Sequence, residues 1–139
     1  ITTDGSNLGR IYVWEADKQM IMDHSIIGVG PGLWGKKYVE QYQLKQEIQN
    51  LGHSHNNMLQ IASESGILGL IGFLGFSIFT IYKSVKSYIM STNPYDLSII
   101  VGFISYLFLF GSIDYTWGNS SGIRIFWVVM GIMLQLRDN

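Results

Sequence analysis

The sequence predicts an all-α integral membrane protein fragment, in which an outer loop domain of short helices precedes three transmembrane helices. Three observations carry that expectation. Hydrophobic residues make up 47% of the 139 positions and charged residues only 14%, with a mean hydropathy of +0.22, which is too apolar for an ordinary soluble domain. The apolar character is concentrated: residues 1–65 are polar and mixed, whereas 66–139 are dominated by apolar runs. Three such runs, about 66–83, 97–113 and 122–136, approach the ~20 residues a helix needs to cross hydrocarbon.

In chain order, Thr2 to Asn7 reads as a turn that caps a helix. From Leu8 to Asp23, the apolar residues Ile11, Trp14, Ile21 and Met22 recur near helical spacing, predicting an amphipathic helix at the membrane interface. Ile26 to Gly32 holds three glycines and a proline, so it turns. Gly30, Gly32 and Gly35 match the spacing of a dinucleotide loop, but Pro31 lies inside it and no periodic helix clearly follows. Trp34 and Tyr38 are candidates for headgroup anchors, with sugar stacking as a second use for Trp34 and Trp117. Gln41 to Asn50 reads as solvated helix or loop, and helix resumes at Asn56.

Gly66 to Tyr82 carries no charge, and Gly66, Gly69, Gly72 and Gly75 form a smooth stripe suited to close helix packing. Lys83 and Lys86 follow, Asn93-Pro94 turns the chain, and Leu97 to Ile113 is again uncharged. After the polar Asp114–Ser121 loop, the last run is interrupted only by Arg124 and ends at Arg137. Lys83, Lys86 and Arg137 mark the cytoplasmic side, which places the outer domain and the Asp114 loop on the other face. Asp114 and Arg124 are read as an ion pair at that outer rim.

Several function classes are excluded. A net charge of -1 lacks the basic face that nucleic acid requires. With no cysteine there is no disulfide, thiol catalysis or thiolate metal site. The chain begins at Ile1 without a signal-peptide pattern, so it is expected to be a piece of a longer membrane protein.

The chemistry concentrates in His53-Ser54-His55-Asn56, followed by Glu64 just before the first apolar run. Imidazole exchanges a proton near neutral pH without special tuning. Residues His53 and His55 stand two apart, so in extended backbone they project from one side. Glu64 lies about two helical turns beyond Asn56, on nearly the same face.

These residues also carry a resemblance. His55-Asn56, nine intervening residues and then Gly66-Ile67-Leu68-Gly69 match the pattern H-[NSQ]-x9-G-x-x-[GTY] of O-antigen ligases. Arg10 to Trp14 resembles the family's R-x-x-x-W helix, and Gly28 to Gly32 its GVGPG turn. Asp114 to Trp117 and Arg124 to Trp127 resemble the last span of bacterial relatives. The chain is similar to the C-terminal part of the O-antigen ligase/polymerase superfamily over nearly its whole length.

The resemblance implies a multi-pass glycosyltransferase of the bacterial inner membrane that needs no metal or other cofactor. It would move a glycan from a polyprenyl-diphosphate donor to a hydroxyl of a glycan or lipid acceptor on the outer face. Its functional histidine falls on His55 and its helix arginine on Arg10; His53, Asn56 and Glu64 are assigned to substrate binding. His55 would either take the acceptor's proton or, protonated, hold the diphosphate. Arg10 would hold phosphate oxygens, or else pair with Asp17, and Glu64 or Asn56 would orient His55.

Two rival classes stand beside this one. A zinc hydrolase would draw on His53, His55 and Glu64, although the spacing is not H-E-x-x-H. A non-catalytic transport component would carry ionisable residues inside its spans, and the two long uncharged runs carry none.

Overall fold

The computed structural model describes residues 3–45, 52–91, 94–118 and 120–137, and among them the chain is helical without a strand. Residue 2 of the expected capping turn, the end of the polar stretch at 46–50 and Asn93 of the Asn-Pro turn lie outside the described residues.

Helix α1 runs Thr3–Asp23 and therefore begins inside the segment expected to cap it. The first turn of any helix has N–H groups without intrahelical acceptors, so cap-type residues join it at little cost. The buried face of α1 is Val13, Ala16, Asp17 and Met20, while Ile11 and Met22 are exposed. Of the expected apolar stripe, Trp14 packs against this core, but the buried face is turned away from Ile11 and Met22. What α1 packs against is the loop that follows it: Val29, Trp34, Tyr38 and Tyr42 close over it.

Trp34 is correspondingly no headgroup anchor. It begins the short helix α2 (Trp34–Lys37), is 1% exposed, and donates its indole N–H to Asp17 Oδ1 at 2.6 Å. Tyr38 stacks on it with ring centroids 4.9 Å apart. A π-helical turn, Tyr38–Tyr42, then delivers the Tyr42 hydroxyl to Asp23 Oδ2 at 3.0 Å.

Helix α3 spans Asn57–Ser91 and is broken at Gly66, where φ is 64° and ψ −166°. The break frees backbone groups on both sides, and the Ser25–Gly30 segment takes them up. The Val29 and Gly30 N–H groups donate to the Ser63 and Glu64 carbonyls, at 2.8 and 2.9 Å. Ile67 and Leu68 donate back to the carbonyls of Ser25 and Ile26, at 2.8 and 3.3 Å. Thus the glycine turn is hydrogen-bonded across a helix interruption, which satisfies polar groups that burial would otherwise penalise.

Among the described residues, two helices are long and apolar enough to cross a membrane, Asn57–Met90 and Pro94–Ser112; a third apolar stretch, Ser121–Ile132 in α5 (Ser120–Arg137), is shorter. Proline at the first position of α4 (Pro94–Phe103) suits a helix start. This early start draws the buried Asp96 into the second helix, so that segment is not free of ionisable residues as the sequence had suggested. Beyond Phe103 the helix widens into a π segment, Ile104–Leu109, and tightens at Phe110–Ser112. Ile99, Phe103 and Leu107 bury against Ile61, Phe73, Phe126 and Met130, while Ile71, Ile78, Phe79 and Leu109 point outward. Outward apolar side chains on an apolar bundle suit lipid as the surrounding solvent.

The glycine stripe does not act as a packing groove in the described residues. Gly66 forms the break, Gly69 and Gly72 line a cavity, and the space beside Gly72 and Gly75 is open. The side chains that meet the neighbouring helices are the aromatic ones: Phe73 lies 6.2 Å from Phe108 and Phe76 6.2 Å from Phe103.

Candidate active site

The histidine loop is held from two sides. Trp14 donates its indole N–H to the Ser54 carbonyl at 2.9 Å. Gln60 Oε1 accepts from the Ser54 N–H at 2.7 Å and from its hydroxyl at 2.9 Å. Ser54 is fully buried, and the histidines flanking it project to one side, their ring centroids 4.1 Å apart. His55 adopts φ 51°, a left-handed conformation uncommon for a side chain of this size. Its N–H points at His53 Nδ1, 3.3 Å away.

Both rings turn toward Asp114. His55 Nδ1 is 3.0 Å and His53 Nδ1 3.9 Å from the same oxygen, Oδ1. Partial burial pushes the Asp114 carboxyl up, but the Tyr115 N–H (2.8 Å), the His55 hydrogen bond and the two imidazoles outweigh it and hold Asp114 below the usual carboxylate range. An ionised Asp114 is acceptor-only, so His55 donates its Nδ1–H; in the neutral ring the lone pair then lies on Nε2. Burial and the neighbouring His55 push the His53 imidazole below its ordinary value, against the pull of Asp114. Asp114 therefore faces the imidazoles.

Asn56 and Asn57 bring the Asp114 loop to the histidines. Asn56 Oδ1 caps α3 by accepting from the Met58 and Leu59 N–H groups at 2.9 and 3.1 Å, and Nδ2 donates to the Ser112 carbonyl at 3.3 Å. Asn57, fully buried, donates to the Leu107 carbonyl at 3.0 Å and to Thr116 Oγ1 at 2.8 Å, and accepts from the Trp117 N–H at 3.0 Å. The wide turns of the π segment present the acceptors for this network, since Thr116 Oγ1 also donates to the Tyr106 carbonyl at 3.1 Å.

Of the residues singled out from sequence, His53 and His55 converge on Asp114. Asn56 adjoins them as a helix cap. Glu64 does not orient His55: its Oε1 accepts from the Gly32 N–H at 3.2 Å, which ties it to the glycine turn. Arg10 sits half-buried on α1, one turn before Trp14, and makes no ion pair among the described residues. Its alternative partner Asp17 bonds Trp34 instead. Asp114 and Asn57 were not identified as site residues. Asp114 was marked only as an acidic residue in a polar loop, within a stretch resembling the last span of bacterial relatives, and Asn57 carried no signal.

Beside the histidines opens a cavity of about 590 Å³. Glu64 and Tyr115 line its polar part, and Gly69, Gly72, Phe73 and Phe76 line its apolar part. Tyr115 joins the two sites, its ring 5.8 Å from that of His53. Burial, with the nearby Glu64 charge, pushes the Tyr115 hydroxyl up to about 12, so it stays a neutral donor.

The profile of the O-antigen ligase family matches residues 1–74. The chain belongs to the O-antigen ligase family. No curated protein matches it. The matched region takes in α1, the glycine turn, the histidine loop, the Gly66 break and the cavity-lining Gly69, Gly72 and Phe73. Asp114 lies beyond it. As a member of the O-antigen ligase family with two membrane-length helices, the protein is an α-helical membrane protein with an O-antigen ligase-like role in glycan assembly.

Proposed function

We propose that this chain supplies the general base of a glycosyltransferase acting at the outer face of a bacterial inner membrane. The donor is a polyprenyl-diphosphate-linked glycan, and the acceptor is a hydroxyl of a second glycan or a lipid. The observation that carries this reading is the 3.0 Å contact between His55 Nδ1 and Asp114 Oδ1, which leaves His55 Nε2 open.

In the proposed step, Nε2 takes the proton of the acceptor hydroxyl as its oxygen bonds to the anomeric carbon. The bond from that carbon to the diphosphate breaks, and the diphosphate leaves with the electron pair. Asp114 holds the imidazole in the tautomer that can accept and stabilises the imidazolium that forms. A diphosphate leaving group needs fixed positive charge, and a guanidinium matches phosphate oxygens in pairs. Arg10 fills that role, being unpaired among the described residues and one helical turn from the tryptophan that grips the histidine loop. His53 and Asn56 shape the approach to His55, while Glu64 and Tyr115 offer an acceptor and a donor to sugar hydroxyls in the adjoining cavity.

The orientation rests on Lys83, Lys86 and Arg137 at the cytoplasmic side of three crossings. Replacing His55 by Ala or Gln in the full-length protein and following glycan transfer in membranes tests the proposal. The expected loss is ~10²–10⁴-fold, the usual contribution of a positioned base. Unchanged transfer by folded, membrane-inserted variants would overturn it.

A further inference from the structure

We infer that His53, His55 and Asp114 also form an inhibitory site for Zn²⁺. The three residues each offer one ligand atom, all within 4.8 Å of one another. Both imidazoles already aim Nδ1 at one carboxylate oxygen, at 3.0 and 3.9 Å. A tetrahedral zinc ion with bonds near 2.0–2.1 Å spaces its ligands by about 3.3 Å, so small side-chain rotations complete the site. The backbone between the histidines needs no rearrangement, because Trp14 and Gln60 pin Ser54. Asp114 is 62% exposed, which provides an entry path and room for water as fourth ligand.

The donor set selects the ion. Two imidazoles and one carboxylate suit zinc, whereas magnesium and calcium prefer all-oxygen ligands. The sequence pointed to Glu64 as the third ligand; the fold puts Asp114 there and sends Glu64 to the glycine turn.

Occupation has a chemical consequence that rests on the proposed role of His55. Zinc at Nδ1 displaces the proton now shared with Asp114, and the neutral ring then carries its proton on Nε2. The lone pair that would receive the acceptor's proton is gone, and Asp114 is engaged with the metal. Zinc bound here arrests transfer without touching the cavity.

The test uses the full-length protein in detergent, titrated with ZnCl₂ by calorimetry, with Co²⁺ as a spectroscopic substitute. One equivalent of Zn²⁺ per chain is expected, with a tetrahedral Co²⁺ spectrum. H53Q and D114N should each weaken binding by about 10–100-fold or more, since even outer-shell changes cost that much. Glycan transfer should fall on adding Zn²⁺ and recover with EDTA. In H53Q, the ratio of rates with and without Zn²⁺ should approach unity, whatever its basal rate. Absence of stoichiometric binding, or binding that survives removal of both histidines, overturns the site. If zinc binds as described but His55→Ala transfers normally, the metal site stands and the catalytic reading fails. If His55→Ala is inactive and no zinc binds, the reverse holds.

Discussion

Gly28 and Gly66 each press against the backbone just before the other, at the interruption of α3. A Cβ on Gly28 would land on the Glu64 carbonyl group and the Ser65 nitrogen, and one on Gly66 would land on the Ile26 carbonyl group and the Ile27 nitrogen. Both have positive φ, 69° and 64°. The contact aligns the glycine turn, the start of the apolar helix and Glu64 in a single unit.

Alanine at either position is therefore expected to cost at least about 2 kcal/mol, combining left-handed strain with a clash that backbone atoms cannot relieve. Gly72→Ala is the control, because the space there is open. Thermal unfolding of the detergent-solubilised protein should separate the two classes; equal melting points for G66A and G72A would contradict the interlock.

In the proposed step Asp114 acts through His55, which predicts a graded effect on transfer. Asp114→Asn should lower the rate by ~10²–10⁴-fold, since an amide no longer dictates the imidazole tautomer or stabilises its charge. Asp114→Glu should restore part of that loss, and the acid side of the pH–rate profile should shift between the three proteins. A purely structural role would move the melting point and leave the profile's shape unchanged.

Asn57→Ala removes three hydrogen bonds and leaves the buried Leu107 carbonyl and the part-buried Trp117 N–H without that partner. The expected cost is roughly 2–3 kcal/mol, with loss of transfer because the Asp114 loop is no longer anchored. Asn57→Asp, which turns a second acceptor toward a carbonyl, should be at least as damaging at pH 8. Full activity in both would show that the loop is positioned by other contacts.

Burial raises Asp17 from 3.8 to about 6, despite the hydrogen bond from Trp34 that favours the charged form. The native state then binds a proton that the unfolded chain has released, so between pH 4 and 6 stability falls as pH rises and levels off above. The span is worth roughly 3 kcal/mol at most for a shift of this size. Asp17→Asn keeps the acceptor for Trp34 and should abolish the slope, leaving the variant at least as stable as the native protein at pH 7.5. A steeper fall in the variant would contradict the assignment.

Residues with local signals were legible. Gly28, Gly30 and Gly32 announce a turn, and all three take positive φ. His53 and His55 do share a side, although the left-handed turn at His55, not an extended backbone, brings the rings together. The α1 face was misread because Asp17, a charged residue, belongs to the buried stripe, held there by Trp34. That pairing has no signature in either segment alone.

From sequence alone came the helical membrane class, the turn before the break, and the imidazole pair at the head of an apolar run. All follow from backbone preferences and hydropathy, which act over a few neighbouring residues. The tertiary structure decided which carboxylate meets His55. Asp114 lies 59 residues away and reaches it only because α4, widened into a π segment, returns the chain to Asn57. Helix packing sets such a pairing, and no spacing in the chain encodes it.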